Sequence, residues 1–190
     1  MADHRQHLTA TLAAHRLFAT AEPDPSGWAM LRKMGVPLDC VTNFHAPIVR
    51  SLASFENGRF CFDNGFGQVA FATCIYDEDA ESLIDLVAWP ARDPEAFGTL
   101  IGSPVLGIDQ LMNPASFIGK PCMLHTTPLA WFQSGCSGAV ILDLVGARTA
   151  LRCAPGAFTT ATLEGAKTLL SSGVVPGNRL LVPAEWGRAP

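Results

Sequence analysis

Residues 49–62 read VRSLASFENGRFCF, and the Asn57-Gly58 pair near their centre decides how the first half of the chain folds. Asn-Gly is the preferred pair for a two-residue type I′ turn, because both positions need positive φ and these two residues reach it at little cost. Folding the stretch about that turn predicts two antiparallel strands with Glu56 opposite Arg59, Phe55 opposite Phe60 and Ala53 opposite Phe62. That register brings together one opposite-charge pair and one aromatic pair, the units that stabilise a sheet face.

Toward the C-terminus, Asp63-Asn64-Gly65 forms the next turn signal, followed by a predicted strand over Gln68–Tyr76, an acidic loop from Asp77 to Glu81, and a strand over Ser82–Trp89. Asp85 interrupts that last apolar run, and a carboxylate there must meet water, a partner or a proton. Placement on an edge strand, where charges discourage aggregation, accounts for it. The acidic loop lacks the glycine and the twelve-residue frame of an EF-hand, and reads as a solvated turn.

Toward the N-terminus, residues 4–19 carry apolar groups at helical spacing, with Leu8, Leu12, His15 and Phe18 or Ala19 on one side. A second helix follows. Asp24 suits the N-cap, Pro25 the first turn, Arg32 and Lys33 the last turn, and Gly35 the left-handed cap, with Trp28, Leu31 and Met34 toward the core.

Residues 91–118 show no sustained period. From about residue 120 short strands alternate with helices: strand Cys122–His125, helix Pro128–Gln133, strand Ala139–Asp143, helix Ala147–Arg152, strand Ala157–Thr159, helix Ala161–Ser171 and a last strand Arg179–Val182. Alternation of this kind favours parallel pairing. The fold class is therefore α+β, with N-terminal helices and an antiparallel meander in residues 1–110 and an α/β region in residues 115–190, as two regions or one continuous domain.

Composition narrows the function classes. Hydrophobic residues make up 48% and charged residues 16%, which calls for an ordered core, and no apolar run is long enough to cross a membrane. The net charge of −4, with no basic cluster beyond Arg32-Lys33, argues against an extended nucleic-acid surface. The six cysteines are scattered with no CxxC, so reduced, partly buried thiols and a cytoplasmic setting are expected. The tail from Pro183 to Pro190 is expected to be loosely held.

Two places could carry chemistry. Gly135-Cys136-Ser137-Gly138 surrounds a thiol, with His125 eleven positions earlier. If the strands flanking them are parallel neighbours, His125 lies at one end of the sheet and Cys136 at the other, too far apart for proton transfer. The same chain direction gathers His125, Thr126, Thr127, Asp143, Thr159 and Thr160 at the carboxyl ends of the strands, where Thr127 and Thr160 cap the helices that follow. Such a ridge suits a nucleotide-like or phosphorylated ligand, with Asp143 meeting a hydroxyl or a cation rather than phosphate. Zinc is disfavoured, because Cys122 and His125 are three positions apart on a strand and point to opposite faces.

No motif names a cofactor. The absence of a converging acid, base and nucleophile leads to a non-catalytic accessory or protein-interaction protein as the first expectation. A small-molecule binding protein or enzyme using the ridge from His125 to Thr160 is the second. A concave pocket at the ridge discriminates between them.

Overall fold

The computed structural model describes residues 2–19, 24–41, 47–62 and 65–182. Asp63, Asn64 and the tail from Pro183 lie outside them, as do the side chains of Leu8 and His15.

Strand β1 (Ile48–Glu56) turns into β2 (Arg59–Phe62) through Asn57 at φ 51° and Gly58 at φ 72°. The pairs are Glu56 with Arg59, Phe55 with Phe60 and Ala53 with Phe62, as the turn chemistry requires. The Phe55 and Phe60 rings lie 6.2 Å apart, and Phe62 meets Phe60 edge-on at 5.1 Å. On its other side β1 pairs with β3 (Gln68–Tyr76), and β3 pairs with β4 (Leu83–Pro90), all antiparallel. A two-residue strand, β5 (Gly98–Thr99), joins β4 to Arg59 of β2 and closes the order β1-β2-β5-β4-β3 into a barrel. Two residues carry no alternation, so the strand that closes the barrel left no periodic trace in the sequence.

Asp85 does not sit on an edge. It lies on β4 between β3 and β5, fully buried. One carboxylate oxygen accepts from the amides of Leu86 at 2.7 Å and Ile101 at 2.9 Å, the other from Gly102 at 2.8 Å and Ser103 at 2.7 Å. The chain after β5 wraps its N–H groups around the carboxylate, so hydrogen bonds rather than solvent offset the burial.

Helix α1 (Ala2–Ala19) packs on β4. Its buried face carries Ala10 and Ala14, while Leu12 is 51% exposed, so the expected stripe through Leu12 is displaced. Ala14 joins the cluster of Ala53, Ala70, Ala72 and Ala88, and Leu17 and Phe18 pack against it, so the expected stripe holds at Phe18 and fails at Leu12. Helix α2 (Pro25–Lys33) begins where Asp24 accepts from Gly27 N at 3.0 Å and pairs with Arg50 Nε at 2.5 Å. Partial burial pushes the Asp24 carboxyl up, but the Gly27 and Ser26 hydrogen bonds and the Arg50 charge outweigh it and hold it below its ordinary value. Leu31 is buried as expected, whereas Trp28 is 37% exposed. A short helix α3 (Leu38–Val41) follows.

The second half forms a separate sheet of order β6-β8-β7-β9. Its strands are β6 (Val105–Leu106), β7 (Cys122–His125), β8 (Ala139–Ile141) and β9 (Phe158–Thr160). β7 runs parallel to both β8 and β9, and β6 is antiparallel to β8. Between them lie α4 (Ile108–Met112), α5 (Pro128–Gln133) and α6 (Arg148–Cys153), and α7 (Leu163–Ser171) follows β9. The strand expected over 179–182 is absent. Leu180 makes a single parallel bridge to Phe158, and Arg179 ends a 3-10 turn. There its guanidinium donates to the carbonyls of Leu151 and Arg152 at 3.0 Å and to those of Ala154 and Gly156, and stacks 4.8 Å over Phe158. It thereby occupies the carbonyls that the end of α6 leaves open.

One apolar cluster joins the two sheets. Leu31, Phe71 and Trp89 from the first half pack with Leu106, Trp131, Phe132 and Val140 from the second, and the Trp89 and Phe132 rings lie 5.6 Å apart.

Candidate functional site

The turn between α5 and β8 organises the site. Thr127 caps α5, its hydroxyl accepting from Ala130 N at 3.1 Å, and Pro128 occupies the first turn. After Gln133 the chain passes Ser134, Gly135 at φ 79°, Cys136 at φ 59° and Gly138 at φ 87°. Gly138 is required: a Cβ there would stand 2.2 Å from the carbonyl oxygen of Met123 on β7. Gln110 from α4 holds the turn with both ends of its amide, Nε2 donating to Cys136 O at 2.7 Å and Oε1 accepting from Gly138 N at 2.9 Å. Trp131 Nε1 donates to Gly138 O at 2.9 Å.

His125 reaches the same turn. Its Nε2 lies 2.8 Å from Ser137 O and 3.2 Å from Ser134 Oγ. The expectation that His125 and the cysteine turn lie at opposite ends of the sheet is therefore wrong. β7 and β8 are only four and three residues long, and the register pairs Leu124 with Ala139 and His125 with Val140, so the turn runs beside β7 instead of below it.

No thiol–imidazole pair results. Cys136 is turned into the core beside Cys40, with which it shares a hydrogen bond, and burial raises its thiol pKa strongly. It lines a cleft of about 330 Å3 with Cys74, Tyr76 and Asp109, which His125 does not reach. Ser134 is not an activated nucleophile either, since its hydroxyl donates to Trp131 O at 2.7 Å. Among the described residues no three His, Cys, Asp or Glu side chains come together as a metal site.

The ridge residues divide between two clefts that share His125 as a wall. The larger, about 810 Å3, lies over β7 and β9 and is bordered by α5; Met123, Thr159, Ser134, Ser137 and Lys120 line it with His125. Among the described residues no carboxylate lines it. The smaller, about 310 Å3, lies at the carboxyl ends of β7 and β9 and takes in His125, Thr126 and Thr160 together with Glu95 and Glu164. Thr127 is buried as a helix cap and reaches neither. Asp143 also lines neither: its carboxylate accepts from Val145 N and Gly146 N at 3.0 Å each, closing its own turn. Thr160 is not the cap of α7. That role falls to Thr162, which accepts from Gly165 N at 3.1 Å, while Thr160 donates to Thr162 O at 2.8 Å.

His125 is 7% exposed, and burial lowers its pKa more than the Ser137 carbonyl raises it, which favours the neutral ring. Burial likewise pushes the Cys122 thiol up to about 11, against the opposing field of Lys120. Sequence reasoning missed Ser134 and Ser137 because their meeting with His125 depends on the strand offset, and Lys120 because it lies ahead of β7, away from the strand ends. The turn signal Gly119-Lys120-Pro121 ahead of β7 was the only local hint of where a cation would stand.

The chain matches no family model, no curated protein and no solved structure.

Proposed function

We propose that this protein is a non-catalytic binding protein for a small phosphorylated or nucleotide-like metabolite, seated in the larger cleft over β7 and β9. The observation that carries this reading is the cleft over β7 and β9 with a lysine in its lining. A cleft of about 810 Å3 falls in the size range of ligand sites, and Lys120 gives it positive charge with no carboxylate among the described residues of its lining. Lys120 is well suited to the anionic group, while the hydroxyls of Ser137 and Thr159 are placed to bond the rest of the ligand. The absence of activation at Ser134 and Cys136 supports binding without turnover.

Isothermal titration with adenosine 5′-monophosphate, ribose 5-phosphate and inorganic phosphate tests the reading. Saturable binding of at least one phosphorylated probe is expected, weakening with salt and falling about tenfold in Lys120→Ala. Absence of saturable binding for all three probes, or equal binding in Lys120→Ala, overturns it.

A further inference from the structure

We infer that Phe117 is a positioning residue for the larger cleft, an anchor that holds the segment carrying Ser116 and Lys120 at its wall; the inference rests on the reading of that cleft as a phosphorylated-metabolite site. The segment runs from the 3-10 turn Pro114–Phe117 to the start of β7. Ser116 and Lys120 both line the cleft. Lys120 is exposed and Ile118 is 78% exposed, so neither fixes the segment by its own burial. Phe117 stands between the two lining residues and is not part of the lining. It packs instead on the apolar cluster of the second sheet, its ring edge-on to Phe158 of β9 at 6.1 Å.

A glycine shapes the seat of that ring. A Cβ on Gly156 would stand 2.2 Å from the Phe117 ring and 2.8 Å from the Phe117 Cβ. Another rotamer of the ring relieves the first contact but not the second, because Cβ moves only with the backbone. Any side chain at Gly156 therefore displaces the turn itself. Arg179 fixes the other side of the notch: its Nε donates to Gly156 O at 3.0 Å, and its guanidinium stacks over Phe158. Within the turn, Ser116 N donates to Asn113 O at 3.0 Å and Ile118 N to Ala115 O at 3.3 Å. Those bonds shape the turn without tying it to the sheet, so the tie is the aromatic ring. A lysine whose backbone is held in place loses less freedom on meeting an anion than one on a loose segment.

Isothermal titration of the parent, Phe117→Ala, Lys120→Ala and the double variant with adenosine 5′-monophosphate and ribose 5-phosphate tests the inference. Phe117→Ala should weaken binding by about fivefold to tenfold and flatten its salt dependence. In the Lys120→Ala background the same substitution should cost little more, since anchor and cation act as one unit. Gly156→Ala approaches the contact from the other side and should shift affinity in the same direction, while circular dichroism checks that each variant folds. In the ligand-free protein, hydrogen exchange at Ser116 and Ile118 should speed up in both variants. Parent-like affinity in the folded Phe117→Ala and Gly156→Ala variants, losses that add to that of Lys120→Ala, or unchanged exchange overturns the inference. A parent that binds neither probe overturns the reading of the cleft, and this inference with it, so the two failures have different signatures.

Discussion

Nε2 of His125 lies 2.8 Å from the carbonyl oxygen of Ser137, twelve residues further along the chain. A single contact therefore fixes the tautomer of the ring and ties the end of β7 to the turn that precedes β8.

Burial of that ring makes stability depend on pH with a definite sign, the Ser137 contact only reducing the effect. In the unfolded chain the imidazole titrates near its ordinary value of about 6.5, whereas burial holds the native pKa lower. Between the two values the unfolded state binds more protons, so stability falls as pH drops below about 6.5 and levels off once the native ring is protonated; above that window the ring contributes no pH dependence. Urea unfolding of the protein and of His125→Gln between pH 5 and 8 measures the difference, the other histidines being common to both. Parallel stability curves would contradict it.

Asp85→Asn should destabilise the fold by about 2–4 kcal/mol, because the new amide turns an N–H group toward a site where four backbone amides already point inward. Chemical denaturation gives the magnitude. Hydrogen exchange should speed up at Ile101, Gly102 and Ser103, and a loss of stability without that local signature would place the effect elsewhere.

Gly58→Val should cost about 1–2 kcal/mol through the backbone alone. The position has φ 72°, and an added Cβ would meet nothing within 4 Å, so no clash contributes. Gly58→Asn, which tolerates the same region, should cost less. Equal thermal midpoints for the valine variant and the parent would refute the turn as a stability determinant.

Thiol labelling should resolve two classes. Cys61 and Cys153 are exposed, while Cys40, Cys74, Cys122 and Cys136 are buried and burial raises the pKa of each. Two groups should react quickly in the native protein and all six after unfolding without reductant. A native burst of more than two would show that a buried thiol is open to solvent.

What the sequence made legible was local chemistry. The Asn57-Gly58 register, the Asp24 cap and the spans of β3, β7 and α5 each depend on a few adjacent residues, and the structure contains them. The errors arise where a distant partner decides. The sequence suggests an edge for Asp85 because three of the four amides that surround it come from residues 101–103, in a segment without period. Leu12 fits a helical stripe with Phe18, but only Phe18 packs on the sheet, with Ala14 and Leu17, because the facing of α1 is set by the strands it meets. Chain direction groups Asp143 with His125, but it places strand ends and not side chains already engaged in their own turns; Thr160 does line the smaller cleft with His125, while the cap of α7 falls to Thr162. The offset between β7 and β8, which brings Ser137 to His125, is a property of the pair and is written in neither strand alone.

Closure of the barrel has a consequence for self-association. Its strands form a ring with no terminal member, and the outer side of β9 is taken by the Leu180 bridge and by Leu181 N, which donates to Phe158 O at 2.8 Å. The remaining border of the second sheet, β6, is two residues long. Among the described residues, then, another copy finds almost no open backbone on which to add a strand, despite the large apolar share of the sequence. Where crowded copies of this chain meet through the described residues, side chains rather than strand edges carry the contact, a route that surface charge and point substitution can tune without disturbing either sheet.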